Sequence, residues 1–369
     1  MKRKANGRLL LNEKTAEAAV WGGAVLGGGG GGSMQDGITL AQLAVRMGDL
    51  ELVPVDEIPS DSLLLTVAAV GAPAAKERYV RPAHYVRAVE LFQKCFDIRP
   101  DGVIANECGG NATVNGWLQA SVLGIALVDA PCNGRAHPTG IMGSMGLHKK
   151  ANFVSRQTAV GGNPAAGRYL EFSVSGSLEA AALAVRKMSV EAGGLVAVAR
   201  NPVTAEYAKC NAAPGAIAKC IELGRVMLMA REKKQSMAVE AAAEYLQGEI
   251  IAEGLVKSVQ LETKGGFDVG VAVVESSKGV LELSFWNEYM TAEIDGQRLG
   301  TFPDLIATID ACTGEPVATA QMQPGRKVAV LYVPRDKLIL SAGMRDPELF
   351  RLAEQAVGKP IIPYVFNPK

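Results

Sequence analysis

The sequence has no excess of charge of either sign, few histidines and few aromatic residues. Lys plus Arg and Asp plus Glu number 38 each among 369 residues, and no basic block is longer than the segment 231–234. Nucleic acids and anionic membranes select proteins with clustered positive charge, which is missing here. We therefore expect a small-molecule partner, with no nucleic-acid and no membrane partner.

The chain also lacks closely spaced cysteines and long apolar runs. Its six cysteines show no CxxC spacing, which argues for reduced thiols. The longest apolar stretch, 63–75, is interrupted and shorter than the roughly 18 residues that span a bilayer. The basic start, Met1 to Lys4, is followed by too short an apolar segment for a secretory signal. We expect a cytoplasmic protein.

The length favours two domains, because 369 residues exceed what one compact core usually holds. In the first half, short apolar runs alternate with helical patterns, for example 63–70, 85–96, 102–105, 112–123 and 125–128. This alternation predicts an α/β fold with a parallel or mixed layer domain. Glycine and proline in 158–167 place the division near residue 165, giving domains 1–165 and 166–369.

The second half begins as mixed α and β and then becomes rich in strands. Alternation in 170–174 predicts a strand, and an alanine-rich helix is predicted over 178–191. From residue 249 onward, short extended runs are separated by turn residues. We expect a β-rich C-terminal domain, as a sandwich or partial barrel, closed by a helix over 347–357.

The glycine run from Gly27 to Gly32 is the least usual feature of the chain. Six glycines cost backbone entropy and supply no packing, so we expect a need for positive φ or close backbone approach. Backbone N–H groups facing a polar ligand would be one such need. The run lacks the Lys-Ser/Thr of a P-loop and can also be read as a plain turn. As candidate substrate-binding residues we take Gly28, Gly29, Gly30 and Gly31.

Polar residues follow the predicted strands of the first half. The carboxyl ends of strands in an open parallel sheet face the ligand crevice. Glu107 stands at one such end and is a candidate general base, and Asn111 in the same turn is a candidate substrate contact or helix N-cap. The turn 129–138 combines a carboxylate, a thiol, a guanidinium and an imidazole.

That turn permits several kinds of chemistry. Cys132 would be a nucleophile, with His137 as its base, Asp129 as a further catalytic acid and Arg135 holding an oxyanion or a substrate carboxylate. Alternatively, Cys108, Cys132 and His137, with Asp129 or Glu107, would hold a divalent metal, which would be zinc. A third interpretation leaves Cys132 as an inert packed residue.

The other polar segments have ordinary structural interpretations. His84 is expected to cap a helix or pack at the surface, and His148 to be solvated. The segments 286–289 and 301–306 are interpreted as turn and capping residues.

Together these segments resemble the family long known as domain of unknown function 917, now associated with S-methyl thiohydantoin desulfurase and related to hydantoinases and oxoprolinases. The residues that carry the resemblance are 23–32, 70–73, 107–112, Asp129 with 134–138, 287–289 and 303–306. Where the family pattern reads Asp-Ala-Asp-Gly-Met-Gly-Arg-Ala, this chain keeps Asp129 and Arg135 but has Pro131, Cys132 and Asn133.

The resemblance implies an N-terminal α/β domain, a β-rich C-terminal domain and a hydrolase. Water would displace a sulfur substituent from a hydantoin-like or thiohydantoin-like five-membered ring, so the partner would be a small heterocyclic substrate. A ring-opening cyclic amidohydrolase is the alternative enzyme, and a non-catalytic small-ligand-binding subunit is the alternative from another class. A homo-oligomer is the usual state of such enzymes.

Overall fold

The computed structural model describes residues 7–366. The basic segment 1–4, on which the expected lack of a secretory signal depends, lies outside the described residues. The first residues of the predicted domain 1–165 and the last residues of the predicted domain 166–369 also lie outside them. Within 7–366 no helix is long and apolar enough to cross a membrane.

The first of two sheets is mixed and has eight strands in the order β1-β2-β5-β4-β3-β8-β6-β7. The strands β2, β5, β4 and β3 run parallel, whereas β1, β8, β6 and β7 join through antiparallel pairs. Their bounds are β1 Leu9–Leu10, β2 Glu51–Pro54, β3 Leu63–Gly71, β4 Gly102–Ala105, β5 Ala126–Asp129, β6 Ser155–Gly161, β7 Leu170–Gly176 and β8 Leu195–Thr204.

The second sheet is antiparallel throughout, with eight strands in the order β13-β12-β11-β10-β9-β16-β14-β15. It is a single sheet in which β12 and β14, far apart in this order, meet through Tyr289 and Thr308 at 3.0 Å, which fits the predicted partial barrel better than the sandwich. Its bounds are β9 Glu249–Lys264, β10 Phe267–Ser276, β11 Gly279–Trp286, β12 Glu288–Ile294, β13 Gln297–Thr301, β14 Leu305–Asp310, β15 Pro316–Val317 and β16 Lys327–Val333.

Ten α-helices complete the described part of the chain. They are α1 Glu13–Leu26, α2 Met34–Arg46, α3 Pro82–Phe96, α4 Trp117–Leu123, α5 Leu178–Glu191, α6 Ala205–Asn211, α7 Ala216–Lys233, α8 Met237–Leu246, α9 Arg351–Val357 and α10 Ile362–Phe366. The predicted helix over 347–357 is a 3₁₀ turn, Pro347–Phe350, continued by α9.

Helices α1, α7 and α8 share one buried cluster with β14 and β16 of the second sheet and with the core of the first. A helix placed between two layers buries most of its circumference, which explains why α1 is apolar nearly all round. Gly22 of α1 lies against the backbone of Cys220 in α7, where a Cβ would come within 1.9 Å of the carbonyl oxygen. This contact fixes α1, and hence the glycine run that follows it.

The predicted fold class is confirmed: an N-terminal α/β layer precedes a β-rich C-terminal part. The hairpin of β6 and β7 joins residues from both sides of position 165 in the first sheet. The division into domains at that position stays a prediction.

Candidate functional site

A small cavity of about 70 Å³ lies where β3 and β4 end, between the two sheets' loops. Its wall takes residues from the turn after β4, the glycine run, the 137–140 loop, α5, β8 and the junction of β11 with β12. The polar residues in the wall are Ser33, Arg78, Asn106, Glu107, Asn111, Asn115, His137, Thr139, Arg186, Arg200, Asn287 and Glu288. The strand-end rule therefore placed Glu107 and His137 correctly beside one cavity.

Glu107, His137 and Asn106 form a hydrogen-bonded group in this wall. Glu107 Oε2 lies 3.3 Å from His137 Nε2 and also accepts from the backbone N–H of His137 at 3.3 Å. Asn106 Nδ2 donates to the same carboxylate oxygen at 3.2 Å. The imidazole Nδ1 lies 2.9 Å from the carbonyl oxygen of Thr139. A neutral imidazole with its proton on Nδ1 donates to that carbonyl and leaves the Nε2 lone pair facing Glu107.

Burial shifts both groups toward their neutral forms. It raises the pKa of Glu107 to about 7, against the opposing effects of the His137 N–H and the charge of Arg200. Burial, assisted by the charge of Arg200, lowers the pKa of His137 to about 3. At neutral pH the imidazole is therefore uncharged, and Glu107 is close to its titration midpoint.

The second carboxyl of the cavity, Glu288, was missed by the sequence reasoning, which interpreted its segment as a turn. It is only 2% exposed, and Oε2 has no hydrogen-bond partner among the described residues. Burial first, and the charge of Glu107 second, raise its pKa well above the ordinary value. The usable signal was a single charged residue in the run 283–292, whose other members are uncharged and mostly apolar.

The turn before Glu288 is tightly specified. Asn287 adopts φ +57°, and its side-chain oxygen accepts from the backbone N–H of Asp268 at 2.9 Å. Thr319 donates its hydroxyl to the Asn287 carbonyl at 2.6 Å. These contacts direct the next residue, Glu288, toward the cavity.

Two arginines that the sequence reasoning did not single out bring positive charge to the cavity. Arg200 of β8 is 4% exposed and donates to Asn106 Oδ1 at 2.5 Å. Arg186 of α5 donates to the carbonyls of Gly71, Gly266 and Pro138 at 2.8–3.1 Å. Both arginines lie in elements that are distant in sequence from Glu107. No local sequence pattern therefore indicated that they line the same cavity.

The glycine run serves packing more than ligand binding. The N–H groups of Gly28 and Gly30 donate within the run, to the carbonyls of Val25 and Gly27. A Cβ on Gly28, Gly29 or Gly30 would lie 2.5, 2.8 or 2.0 Å from Arg135, Tyr289 or Glu288 respectively. Gly28, Gly29 and Gly30 are absent from the cavity wall, so their predicted ligand contacts receive no support from their position, whereas Gly31 and Gly32 do line the cavity.

Arg135 does not reach the cavity wall either. Its guanidinium is fully buried, donates to the carbonyls of Pro303 and Asp304, and lies 4.5 Å from the centre of the Phe302 ring. It thus joins the 129–138 turn to the second sheet instead of holding a substrate anion.

Asp129 caps a helix. Its carboxylate accepts from the N–H groups of Ile217 and Ala218 in the first turn of α7, at 2.8 and 3.1 Å. A carboxylate at a helix N-terminus is a stabilising arrangement. Asp129 is absent from the cavity wall described above, so its predicted catalytic role receives no support from its position.

The surroundings of the cysteines do not favour the predicted chemistry. Cys132 is fully buried with its sulfur 3.2 Å from the Thr66 hydroxyl, and burial raises the pKa of its thiol to about 11. Burial likewise raises the pKa of Cys108, which lies beside Cys220. Nucleophilic cysteines need a lowered pKa, so the interpretation of Cys132 as a packed residue fits best.

The metal site predicted from Cys108, Cys132 and His137 is also wrong. Across residues 7–366, no three His, Cys, Asp or Glu side chains come together as a metal-binding group. Zinc sites need at least three converging protein ligands.

The two other histidines have structural roles. His84 Nδ1 accepts from the Arg81 N–H at the start of α3, as expected of a capping residue. His148 was expected to be solvated, but its imidazole is largely buried and lies 2.7 Å from Asp346. The correction arises because the C-terminal segment folds back over the 147–149 turn.

Asn111 lines the cavity but does not cap a helix with its side chain. Its Nδ2 donates to the Tyr85 hydroxyl at 3.3 Å, and its Oδ1 accepts from Asn115 at 3.2 Å. The predicted substrate contact is therefore occupied by protein partners.

Comparisons with known proteins agree with this architecture. Residues 14–162 match a family model described as "S-Me-THD-like, N-terminal domain", and residues 177–345 match one described as "S-Me-THD-like, C-terminal domain". A crystal structure of a protein from Chromobacterium violaceum, a Northeast Structural Genomics Consortium target, has a TM-score of 0.70 at 21% identity. The match covers 95% of this chain and 96% of that one, and at this identity it shows the fold alone. No curated protein matches the chain.

Proposed function

Since the chain belongs to the S-Me-THD-like family, we propose that it is a hydrolase that displaces a sulfur substituent from a thiohydantoin-like ring with water. Family membership suggests a desulfurase-like role, and the site supports the finer statement. The substrate would be a small five-membered heterocycle, because the cavity that would hold it is small and carries both charged and amide side chains.

One observation carries the proposal: two carboxyl groups from different parts of the chain, Glu107 and Glu288, line the same small cavity. Both have a raised pKa, and the charge of Glu107 helps to keep the proton on Glu288. Two acids whose environments separate their titrations can serve as a base and an acid at the same pH.

In the first step Glu107 accepts a proton from water while the water oxygen bonds to the ring carbon that bears the S-methyl group. Glu288 donates its proton to the neighbouring ring nitrogen, which gives a neutral tetrahedral carbon. In the second step the carbon–sulfur bond breaks, and protonated Glu107 gives its proton to the departing thiolate. The hydroxyl proton returns to Glu288. The products are methanethiol and a hydantoin, and both carboxyls regain their starting states.

The neighbouring groups favour this division of labour. The His137 backbone N–H and Asn106 Nδ2 hold the Glu107 carboxylate in one orientation. Arg200 and Arg186 lie in the wall and would stabilise negative charge on the ring or on the departing sulfur.

The direct test incubates the purified protein with an S-methyl thiohydantoin and measures released thiol together with the mass of the ring product. We expect one thiol per hydantoin formed. Failure to release thiol would overturn the proposal, and a product mass corresponding to a carbamoyl amino acid would identify the ring-opening alternative.

We expect kcat/KM to rise with pH up to about 7. Glu107 must be ionised to accept a proton, and its pKa is raised to about 7, so activity falls below that value as the carboxylate is protonated. His137 cannot produce this acid limb, because its pKa is lowered to about 3. A pH profile of thiol release checks this. A half-maximal rate near pH 4.5, the ordinary value for Glu, would contradict the assigned base.

Replacing Cys132 by Ser is expected to leave the rate of thiol release within about threefold of the wild-type rate. The serine hydroxyl can keep the contact with Thr66, and the buried thiol plays no part in the proposed steps. A nucleophilic cysteine would instead lose several orders of magnitude on this change. Steady-state rates of the purified variant distinguish the two outcomes, and a loss of that size would restore the thiol as nucleophile.

A further inference from the structure

Asn115 lies in the cavity wall and is only 1% exposed, yet half of its amide is unused. Its Nδ2 donates to the Asn111 carbonyl at 2.9 Å and to Asn111 Oδ1 at 3.2 Å. Its Oδ1 has no hydrogen-bond partner among the residues that the structure describes. A buried acceptor without a donor destabilises the folded protein, because it has lost its hydrogen bonds to water. We therefore expect a bound molecule to donate to it.

The orientation of this amide is determined by its surroundings. Exchanging Oδ1 and Nδ2 would place the oxygen against two acceptors of Asn111. One of these acceptors is the Asn111 backbone carbonyl, which no rotation of the Asn111 side chain can turn into a donor. The unused atom of Asn115 is therefore an oxygen that accepts hydrogen bonds.

The cavity offers donors and acceptors unequally. Arg78, Arg186 and Arg200 supply N–H groups to a ligand's oxygen or sulfur atoms. Glu107 Oε2 already accepts from Asn106 and His137. Glu288 is expected to hold its proton. Asn115 Oδ1 is a further acceptor in the wall, fixed in position and without a donor among the described residues, so a ligand that brings an N–H to it gains a hydrogen bond.

Building on the proposed function, we propose that Asn115 Oδ1 accepts a hydrogen bond from a ring N–H and so determines specificity for rings with an unsubstituted nitrogen. A methyl group on that nitrogen removes the donor and adds bulk against a buried oxygen. Asn111 and Tyr85 act as positioning residues that hold the amide.

The test measures dissociation constants by calorimetry for three stable rings: a 5-substituted hydantoin and its N1-methyl and N3-methyl derivatives. In the wild-type protein we expect one methyl derivative to bind about tenfold or more weakly than the parent. Asn115→Leu should abolish that preference. Gln119→Leu is the matched control, because Gln119 is a buried amide that accepts from the Gly116 N–H outside the cavity wall, and it should keep the preference.

Equal affinities of the three rings for the wild-type protein would overturn the inference, and so would a failure of all three to bind. Equal wild-type affinities refute the inference even if a variant does not fold, whereas a preference is assigned to Asn115 only when Asn115→Leu abolishes it and Gln119→Leu keeps it. The proposed function is judged separately by thiol release: a protein that releases thiol but binds all three rings equally keeps the function and loses the role of Asn115.

Discussion

Replacing Glu288 by Gln is expected to lower kcat for thiol release by about 10²- to 10⁴-fold, the usual contribution of a positioned general acid. Glutamine has nearly the same shape, and Glu288 is expected to be uncharged, so the substitution removes the transferable proton without changing the charge of the cavity. The fold should be unaffected, because Oε2 accepts no hydrogen bond from the described residues. Steady-state kinetics with a denaturation curve of the same sample measure both effects.

The control is Glu293→Gln on the same strand. Glu293 pairs with Arg298 at 2.8 Å and with Lys359, away from the cavity. It should keep kcat within about twofold, since Glu293 does not line the cavity. Any loss of stability from its largely buried ion pairs appears in the denaturation curve. Wild-type kcat in Glu288→Gln would remove Glu288 from the mechanism and leave Glu107 without a partner acid.

Local patterns located one carboxyl of this pair and not the other, for a physical reason. Glu107 follows β4, a short apolar strand recognisable within four residues, and the rule for parallel strand ends then gives its position. Glu288 follows an antiparallel strand, for which no such rule exists. It reaches the cavity only because the second sheet packs against the glycine run. That contact joins residues about 260 positions apart in the chain.

The secondary structure was more predictable than the site. The helix over 178–191 and the strand over 102–105 agree with α5 and β4 in both bounds, because hydrophobic periodicity is a local property. The roles of Cys132 and Arg135 depend instead on burial. Cys132 and Arg135 are close to His137 in sequence. In the fold, however, Cys132 contacts Thr66, and Arg135 contacts the 302–304 turn. No rule of sequence spacing predicts which residues become neighbours in the tertiary structure.

The glycine run shows the same limit in another form. Glycine permits exposed N–H groups and also permits close approach of two backbones, and sequence cannot separate these uses. In this glycine run, the close approach of two backbones dominates. The carbonyls of Gly28 and Gly29 accept from Tyr289 and Thr319, which fixes the second sheet against the first. The run thus shapes the cavity by determining where Glu288 lies.

Gly31→Ala is accordingly expected to lower the free energy of unfolding by about 2–5 kcal/mol. Gly31 has φ +76°, a conformation that costs an L-residue about 1–2 kcal/mol. Its new Cβ would also lie 2.4 Å from the Cα of Gly109, and backbone displacement of this kind costs roughly 1–3 kcal/mol more. The shift would further disturb the Gly31 carbonyl, which accepts from Asn111 and Ala112. Urea denaturation followed by circular dichroism measures the change.

Gly167→Ala separates the two causes, because Gly167 has φ +68° but no atom within 4 Å of the added Cβ. It should lose only the conformational part, about 1–2 kcal/mol. Gly109→Ala tests the close contact alone. Its Cβ would lie 2.3 Å from the Cα of Gly31, whereas its φ is not in the left-handed region. If Gly31→Ala and Gly167→Ala lose the same amount and Gly109→Ala loses nothing, the close approach of the two turns contributes no stability. A large loss in both Gly31→Ala and Gly109→Ala would instead establish that this contact holds the cavity wall together.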